Sequence, residues 1–192
     1  MILTAAQLKK KWIKIFAPDV FGNMEIGETL CDEDKKVMGR TIEKSLYELT
    51  GDASKYYINL IFKVNFVDSA QAKTIYYGHS CTSDFLSRIV QPRTSKVAVR
   101  LPLKLKDASI VVKAVAITER TVGKRIQSEI RKKIIESFQS FASSSDLSGF
   151  VKGFTSGKIQ NQIRQVANKI YPIRIFEIYK TEVLSVEQEN KK

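Results

Sequence analysis

A chain of 192 residues with 43% hydrophobic side chains is long enough to bury one sizeable core, and the usual size of domains predicts one compact unit. Its 32 Lys and Arg against 20 Asp and Glu leave a formal charge of +12, which favours a polyanionic partner such as nucleic acid. No apolar run reaches the length of a membrane span, and Cys31 and Cys81 fit no metal-ligand or disulfide pattern. The composition therefore indicates a cytoplasmic protein with no membrane partner.

The segment KKKWIKIFAPDVFGN at the start of the chain brings lysines next to the only tryptophan. We predict a basic N-terminal arm over residues 1–22, a single globular α+β domain over 23–184 and a disordered polar tail over 185–192.

Strands are predicted between residues 40 and 119. Apolar side chains there alternate, or cluster in short β-branched runs separated by turn residues, which indicates an antiparallel sheet or a small β-barrel. In Lys96–Lys104 apolar and basic side chains alternate, and Pro102, which cannot donate a ladder hydrogen bond, favours an edge strand. A capping pattern at Thr82 and a later proline bound a short helix at about 83–90.

After residue 120 the apolar period changes from two to that of a helix. Apolar residues at three- and four-residue spacing from Val122 to Phe141 predict an amphipathic helix, which the SSSD run at 143–146 ends. A second amphipathic helix follows from Ile159 to Ile170 and stops before Pro172. The alternation in IRIFEIYKTEVL then predicts a last strand that returns to the sheet, which completes an α+β fold with flanking amphipathic helices.

A catalytic centre is hard to assemble from this chain. His79 is the only histidine. The run His79-Ser80-Cys81 brings a base and a nucleophile close in sequence, but neighbours in sequence do not face each other on a strand. The acids at 32–34 lie in a turn-like stretch, and GKR at 123–125 and SGK at 156–158 lack the spacing of a phosphate-binding loop. We predict no enzyme, no cofactor and no metal site, with a His79/Cys81 hydrolase as the remote alternative.

Nucleic-acid binding gains more support, because the basic groups lie on identifiable elements. Cations on the outer face of the 122–141 helix can follow a line of phosphates, although a solvated charged face explains the same pattern. The tyrosines at 56–57 and 76–77 can stack on bases, but adjacent residues on a strand point to opposite faces, so at least half are expected in the core. The predicted RNA-binding residues are Lys9, Lys10, Lys11, Lys14, Lys124, Arg125, Arg131, Lys132, Lys158 and Arg164.

The N-terminal segment resembles that of the S3Ae family of small-subunit ribosomal proteins from archaea and eukaryotes. The matching positions are Lys11, Trp12, Ile15, Ala17, Pro18 and Phe21. The likeness continues in the same order through IGETL at 26–30, GRTIEKSLYELTGD at 39–52, GHSCTSD at 78–84, IQSEIRKKIIES at 126–137 and SGKIQNQIRQVANKIYPIRIFEIYK at 156–180. We interpret Trp12, Pro18 and Phe21 as side chains that pin the basic arm against the sheet.

The resemblance implies a structural constituent of the small ribosomal subunit that acts in translation without a reaction or a cofactor. It implies a place on the platform near the messenger RNA exit, with ribosomal RNA, neighbouring small-subunit ribosomal proteins and messenger RNA as partners. Its implied fold is a β-barrel-like sheet with flanking helices. The brief C-terminus favours an archaeal-type member, and SRIVQPRTSK at 87–96, which stands where archaeal relatives have an arginine-rich run, leaves RNA contact by Arg88 and Arg93 open. The alternative is a free-standing RNA-binding regulator or chaperone.

Overall fold

In the computed structural model, which describes residues 10–68 and 71–186, eight strands form one sheet. The strands are β1 (Lys11–Phe16), β2 (Glu25–Cys31), β3 (Thr41–Ser45), β4 (Ile58–Asp68), β5 (Gln71–Cys81), β6 (Lys96–Lys104), β7 (Ala108–Thr118) and β8 (Ile173–Val186). The described part of the chain also contains five α-helices. These are α1 (Leu46–Thr50), α2 (Ser83–Ile89), α3 (Lys124–Ser144), α4 (Leu147–Thr155) and α5 (Lys158–Asn168).

The sheet runs in the order β2-β1-β5-β8-β7-β6, and it is antiparallel except between β1 and β5. It forks at β5, which pairs with β1 through residues 71–73 and with β8 through residues 78–80. The strands β4 and β3 extend from the other side of β5. The predicted α+β class is confirmed, and the sheet is open rather than closed into a barrel.

β6 is the edge strand that the proline pattern predicted. It lies at the end of the sheet, and Pro102 is placed opposite Val111 of β7. Val97, Val99 and Leu103 are buried, while the basic residues between them face the other side. An edge strand tolerates Pro102 because one row of its backbone groups has no neighbouring strand to pair with.

α2, α3 and α5 confirm the three predicted helices. Ile130, Ile134 and Phe138 form the buried side of α3, and Ile159 and Ile163 that of α5, as the apolar spacing indicated. Within the described ranges, no helix is both long and apolar enough to cross a bilayer.

α4 is a helix that the sequence pattern did not predict. Its nine residues include two glycines, which are poor helix formers, and they follow directly on the serine run that ends α3. Tertiary packing supplies what local propensity lacks, since Phe150, Val151 and Phe154 are buried and Asp107 accepts a hydrogen bond from the backbone N–H of Leu147 at 2.8 Å.

The start of the strand region predicted between residues 40 and 119, RTIEKSLYEL at 40–49, requires a correction. Only Thr41–Ser45 is a strand, and α1 follows at once. Ser45 caps this helix, because its hydroxyl accepts from the N–H of Tyr47 at 3.3 Å. Gly51 then ends it in the left-handed conformation, with φ at 73°.

The N-terminal segment also differs from its interpretation. Residues 11–16 are strand β1 itself, held by Ile13 and Ile15 in the core. Trp12 does not pin the segment, because it lies on the opposite face of β1 and is 64% exposed. Phe21 does pack, edge-to-face on Phe62 with ring centroids 5.6 Å apart. Residues 1–9 of the predicted arm and 187–192 of the predicted tail lie outside the described residues.

The two faces of the sheet are covered differently. The main core lies between one face and the helices α3, α4 and α5. A smaller cluster on the other face joins Ile89 and Phe85, from α2, to Val115 and Ile117 of β7. The helix layer and this second face are therefore the two broad surfaces that can meet a partner.

Candidate nucleic-acid interface

α3 presents the largest group of predicted contacts. Its buried stripe faces the sheet, which turns Lys124, Arg125, Arg131 and Lys132 outward, and all four are exposed. The Arg125 side chain is 93% exposed although its Nε lies 3.4 Å from Oε1 of Glu129. This face can therefore offer positive charge to a partner without moving the helix.

Arg131 also has a structural contact. Its Nε donates to the backbone oxygen of Ala98, in β6, at 3.3 Å. Because β6 is an edge strand, an outward carbonyl there lacks a strand partner, and Arg131 satisfies it. A substitution at Arg131 would therefore disturb folding as well as charge.

Two Gly-Lys pairs open the helices of this layer. Gly123 precedes Lys124 at the start of α3, and Gly157 precedes Lys158 at the start of α5. Neither helix has an acidic residue in its first turn or a side-chain cap. Cations at a helix N-terminus oppose the helix dipole, whereas an anion there is stabilised by the free N–H groups. Both helix starts therefore favour a negatively charged partner.

Arg164 extends the basic surface of α5. The residue is exposed, and its Nε donates to the backbone oxygen of Ile173 at 3.1 Å, which ties α5 to the start of β8. Because α3 and α5 pack on each other, Lys158 and Arg164 belong to the same helix layer as the α3 cations.

The predicted N-terminal lysines form a second, separate group. Lys10 is exposed, whereas Lys11 pairs with Asp34 at 2.7 Å and Lys14 with Glu25 at 3.0 Å. These hydrogen bonds to carboxylates raise the pKa of both lysines, so their charge is partly offset by neighbours. β1 lies towards the opposite end of the sheet from β6, on which α3 packs. Lys9 lies outside the described residues.

The prediction that at least half of the four paired tyrosines lie in the core is confirmed. Tyr76 is buried, and Tyr57 stacks on Phe85 with ring centroids 3.6 Å apart, whereas Tyr56 and Tyr77 are exposed. The hydroxyl of Tyr56 accepts from Nη2 of Arg88 at 2.6 Å, so this arginine already has a protein partner.

A further basic group was missed. Arg100 of β6 is directly opposite Lys113 of β7, which is directly opposite Lys180 of β8. The residues are far apart in the chain, and only the strand register brings them into one row. One signal was available, because Lys113 is the only charged residue in ASIVVKAVAIT, as a functional or paired charge would be.

His79 has a structural environment. Its Nε2 donates to the backbone oxygen of Ile178 at 2.9 Å, and its Nδ1 lies 2.9 Å from the hydroxyl of Tyr76 and 2.8 Å from that of Thr181. Burial lowers the pKa of the imidazole to about 4 and raises the pKa of the Cys81 thiol. The Cys81 thiol also donates to the Ile178 oxygen, with Sγ 3.8 Å away, so one carbonyl accepts from both side chains. The neutral thiol is a poor nucleophile.

Among residues 10–68 and 71–186, no three His, Cys, Asp or Glu side chains are grouped so that they could hold a metal ion.

Comparison with known proteins identifies the family of the chain. A model of the ribosomal S3Ae family matches residues 5–187. The chain belongs to the ribosomal S3Ae family. The resemblance inferred from the sequence blocks is thereby confirmed. S3Ae proteins are structural components, so the prediction that this chain is not an enzyme is confirmed as well.

Individual S3Ae relatives match nearly the whole chain. Small ribosomal subunit protein eS1 from Desulfurococcus amylolyticus is 34% identical over 178 residues, which cover 92% of this chain and 84% of that protein. The protein of the same name from Sulfurisphaera tokodaii is 35% identical over 176 residues, which cover 91% of each chain. That from Saccharolobus islandicus is 35% identical over 178 residues, with 92% and 86% covered. All three relatives are archaeal proteins.

Proposed function

We propose that the chain acts in translation as a structural constituent of the small ribosomal subunit in the cytoplasm. It binds ribosomal RNA on the platform near the messenger RNA exit, beside neighbouring ribosomal proteins and messenger RNA. Membership of the S3Ae family carries the ribosomal assignment, and the relatives from three archaea are named small ribosomal subunit proteins. The platform position rests on the family resemblance, and the residue-level RNA contacts rest on the basic surface.

The helix layer is the main RNA contact in this proposal. The packed side of α3 fixes the helix on the sheet, so the backbone positions that carry the exposed Lys124, Arg125 and Lys132 are set before RNA arrives. Each phosphate that a cation neutralises releases condensed counterions, which favours binding. Lys158 and Arg164 continue this surface along α5, and the N-terminal lysines add a second contact.

Assembly into the subunit can be measured by gradient sedimentation. We expect the tagged chain to travel with small subunits and to stay there after a high-salt wash, because an assembled constituent is held by many simultaneous contacts. A free-standing RNA-binding regulator would leave the particle as salt competes for its phosphate contacts. Recovery of most of the chain at the top of the gradient would contradict the proposal.

The α3 contact is tested by the triple variant K124Q/R125Q/K132Q. We expect its affinity for a small-subunit rRNA transcript to fall at least tenfold at low salt. The slope of log affinity against log salt should shrink by about two, since each lost phosphate contact removes roughly 0.7 to 0.9. Arg131 is left intact because it bonds β6.

The matched control is K35Q/K36Q/K73Q, which removes the same charge from exposed lysines elsewhere on the surface. This control should lose less affinity and keep most of its salt slope. Equal losses in the two variants would show that α3 contributes no more than the surface beside β1, and would remove it as the main RNA contact.

A further inference from the structure

Three cations cross the sheet in one row on the face opposite α3. Arg100, Lys113 and Lys180 occupy directly paired positions on β6, β7 and β8. Strands in a sheet lie about 4.8 Å apart, so the three side chains start within about 10 Å of one another. A bulge at Lys113 turns Lys180 to the same face as its partner.

This row is unfavourable for the isolated protein. Like charges placed directly opposite each other on neighbouring strands destabilise a sheet. Glu182 offsets part of the charge, since its Oε1 lies 2.8 Å from Nζ of Lys180 and 3.6 Å from Nζ of Lys113. A single carboxylate oxygen thus forms ion pairs with two lysines. The exposed Arg100 adds a third positive charge. The arrangement is suited to an anionic ligand that supplies the missing negative charge.

A cleft with a mixed polar and apolar lining lies a few residues along the strands from the row, where β5 and β8 diverge. It has a volume of about 200 Å³, and its lining includes Tyr77 and the 65%-exposed Leu184. Leu184 is two residues beyond Glu182 on β8, and Tyr77 precedes the residue of β5 that pairs with Glu182. The cation of Lys63 lies 5.3 Å from the centre of the Tyr77 ring. Tyr77 lies three residues along β5 from Ser80, the partner of Lys180, so the ring is about 10 Å along the strands from the row.

We propose that this face binds an unpaired segment of RNA, with phosphates on the Arg100–Lys113–Lys180 row and one base against Tyr77 and Leu184. A cationic track beside a stacking platform is the usual arrangement for single strands, because only an unstacked base can reach the ring. The ligand class rests on the proposed function, but the location does not, since the row lies across the sheet from the helix layer. An acidic peptide would pair with the cations, but it would place no planar base against the Tyr77 ring in the cleft.

The row is tested with Lys113→Gln and a short single-stranded RNA, measured beside a duplex of the same length. We expect K113Q to bind the single strand several-fold more weakly with a smaller salt slope, and to bind the duplex nearly as wild type. Without RNA, the urea midpoint of K113Q should equal or exceed that of wild type, because a like-charge contact has been removed. A merely structural lysine would give the opposite, a lower midpoint with unchanged RNA binding, and that result would overturn the proposal.

The cleft is tested with Tyr77→Ala, which should lose roughly fivefold or more in single-strand affinity. Tyr56→Ala is the matched control, because Tyr56 is equally an exposed tyrosine but lies outside the cleft, against Arg88. Equal losses in the two tyrosine variants would overturn the base contact, and so would competition by a poly-glutamate peptide stronger than by the RNA.

The sheet-face site and the ribosomal assignment can be tested separately. If K113Q and Y77A bind single strands normally while wild-type protein still sediments with small subunits, the sheet face is not an RNA site and the ribosomal assignment stands. If the variants bind weakly, the sheet-face site holds whatever the gradient shows.

Discussion

Replacing Gly78 with alanine is expected to destabilise the protein by about 3 kcal/mol, the upper part of the range for overpacked sites. A Cβ at this position would lie 2.3 Å from the backbone oxygen of Thr181 and 3.2 Å from its carbonyl carbon. These are backbone atoms of the adjacent strand, so no side-chain rotation can relieve the clash. Gly78 also lies in the ladder of residues 78–80 that joins β5 to β8, and hence one half of the forked sheet to the other.

Urea unfolding followed by circular dichroism measures this effect. Gly123→Ala is the matched control, since a Cβ at Gly123 would meet nothing within 4 Å and its φ of −66° suits any residue. The control changes a helix N-cap position and should cost less than about 1 kcal/mol. A G78A protein with the midpoint of wild type would show that β5 and β8 can separate at this point without loss of stability.

Local patterns predicted the elements whose burial follows one simple period. α3 is the clearest case, because its apolar residues repeat at helical spacing over five turns and bury the stripe that the spacing indicated. α4 was missed for the opposite reason. Its glycines and its serine-rich approach indicate a loop, and the helix exists because Phe150 and Phe154 reach a core made by distant segments.

The candidate interface was predictable only in part. The exposed cations of α3 and α5 follow from the helical pattern, since the residues opposite an apolar stripe must face outward. The ion pairs of Lys11 with Asp34 and of Lys14 with Glu25 depend on how β1 pairs with β2 and on the following turn. The row through Lys113 needs the register of three strands, which no local window contains.

Acidification is expected to destabilise the protein through His79. The imidazole is fully buried, and its pKa is about 4 in the folded chain against about 6.5 when unfolded. Between these values the unfolded chain binds a proton that the folded chain does not. The contribution of His79 to the free energy of unfolding is therefore fully present above pH 6.5 and falls as the pH drops towards 4. The loss over this window is about 3 kcal/mol, since one pKa unit corresponds to about 1.4 kcal/mol.

Glu177 acts in the opposite direction within part of the same range. Burial raises the pKa of the Glu177 carboxyl above its value in the unfolded chain. The stabilisation that this shift provides is present below the unfolded-state pKa, and it is lost as the pH rises through the folded-state pKa. Unfolding should therefore be compared in wild type and in Glu177→Gln, where the fall in stability on acidification should be steeper.

The titration of His79 can also be observed directly, because it is the only histidine in the chain. Its ring proton resonances should shift with a midpoint near pH 4 in the folded protein. Protonation of Nδ1 would remove the acceptor for the Tyr76 and Thr181 hydroxyls, and the charge would lie against Phe154, which stacks on the ring at 3.8 Å. A midpoint near 6.5 would mean that water reaches the imidazole, and that the junction of β5 and β8 opens around it.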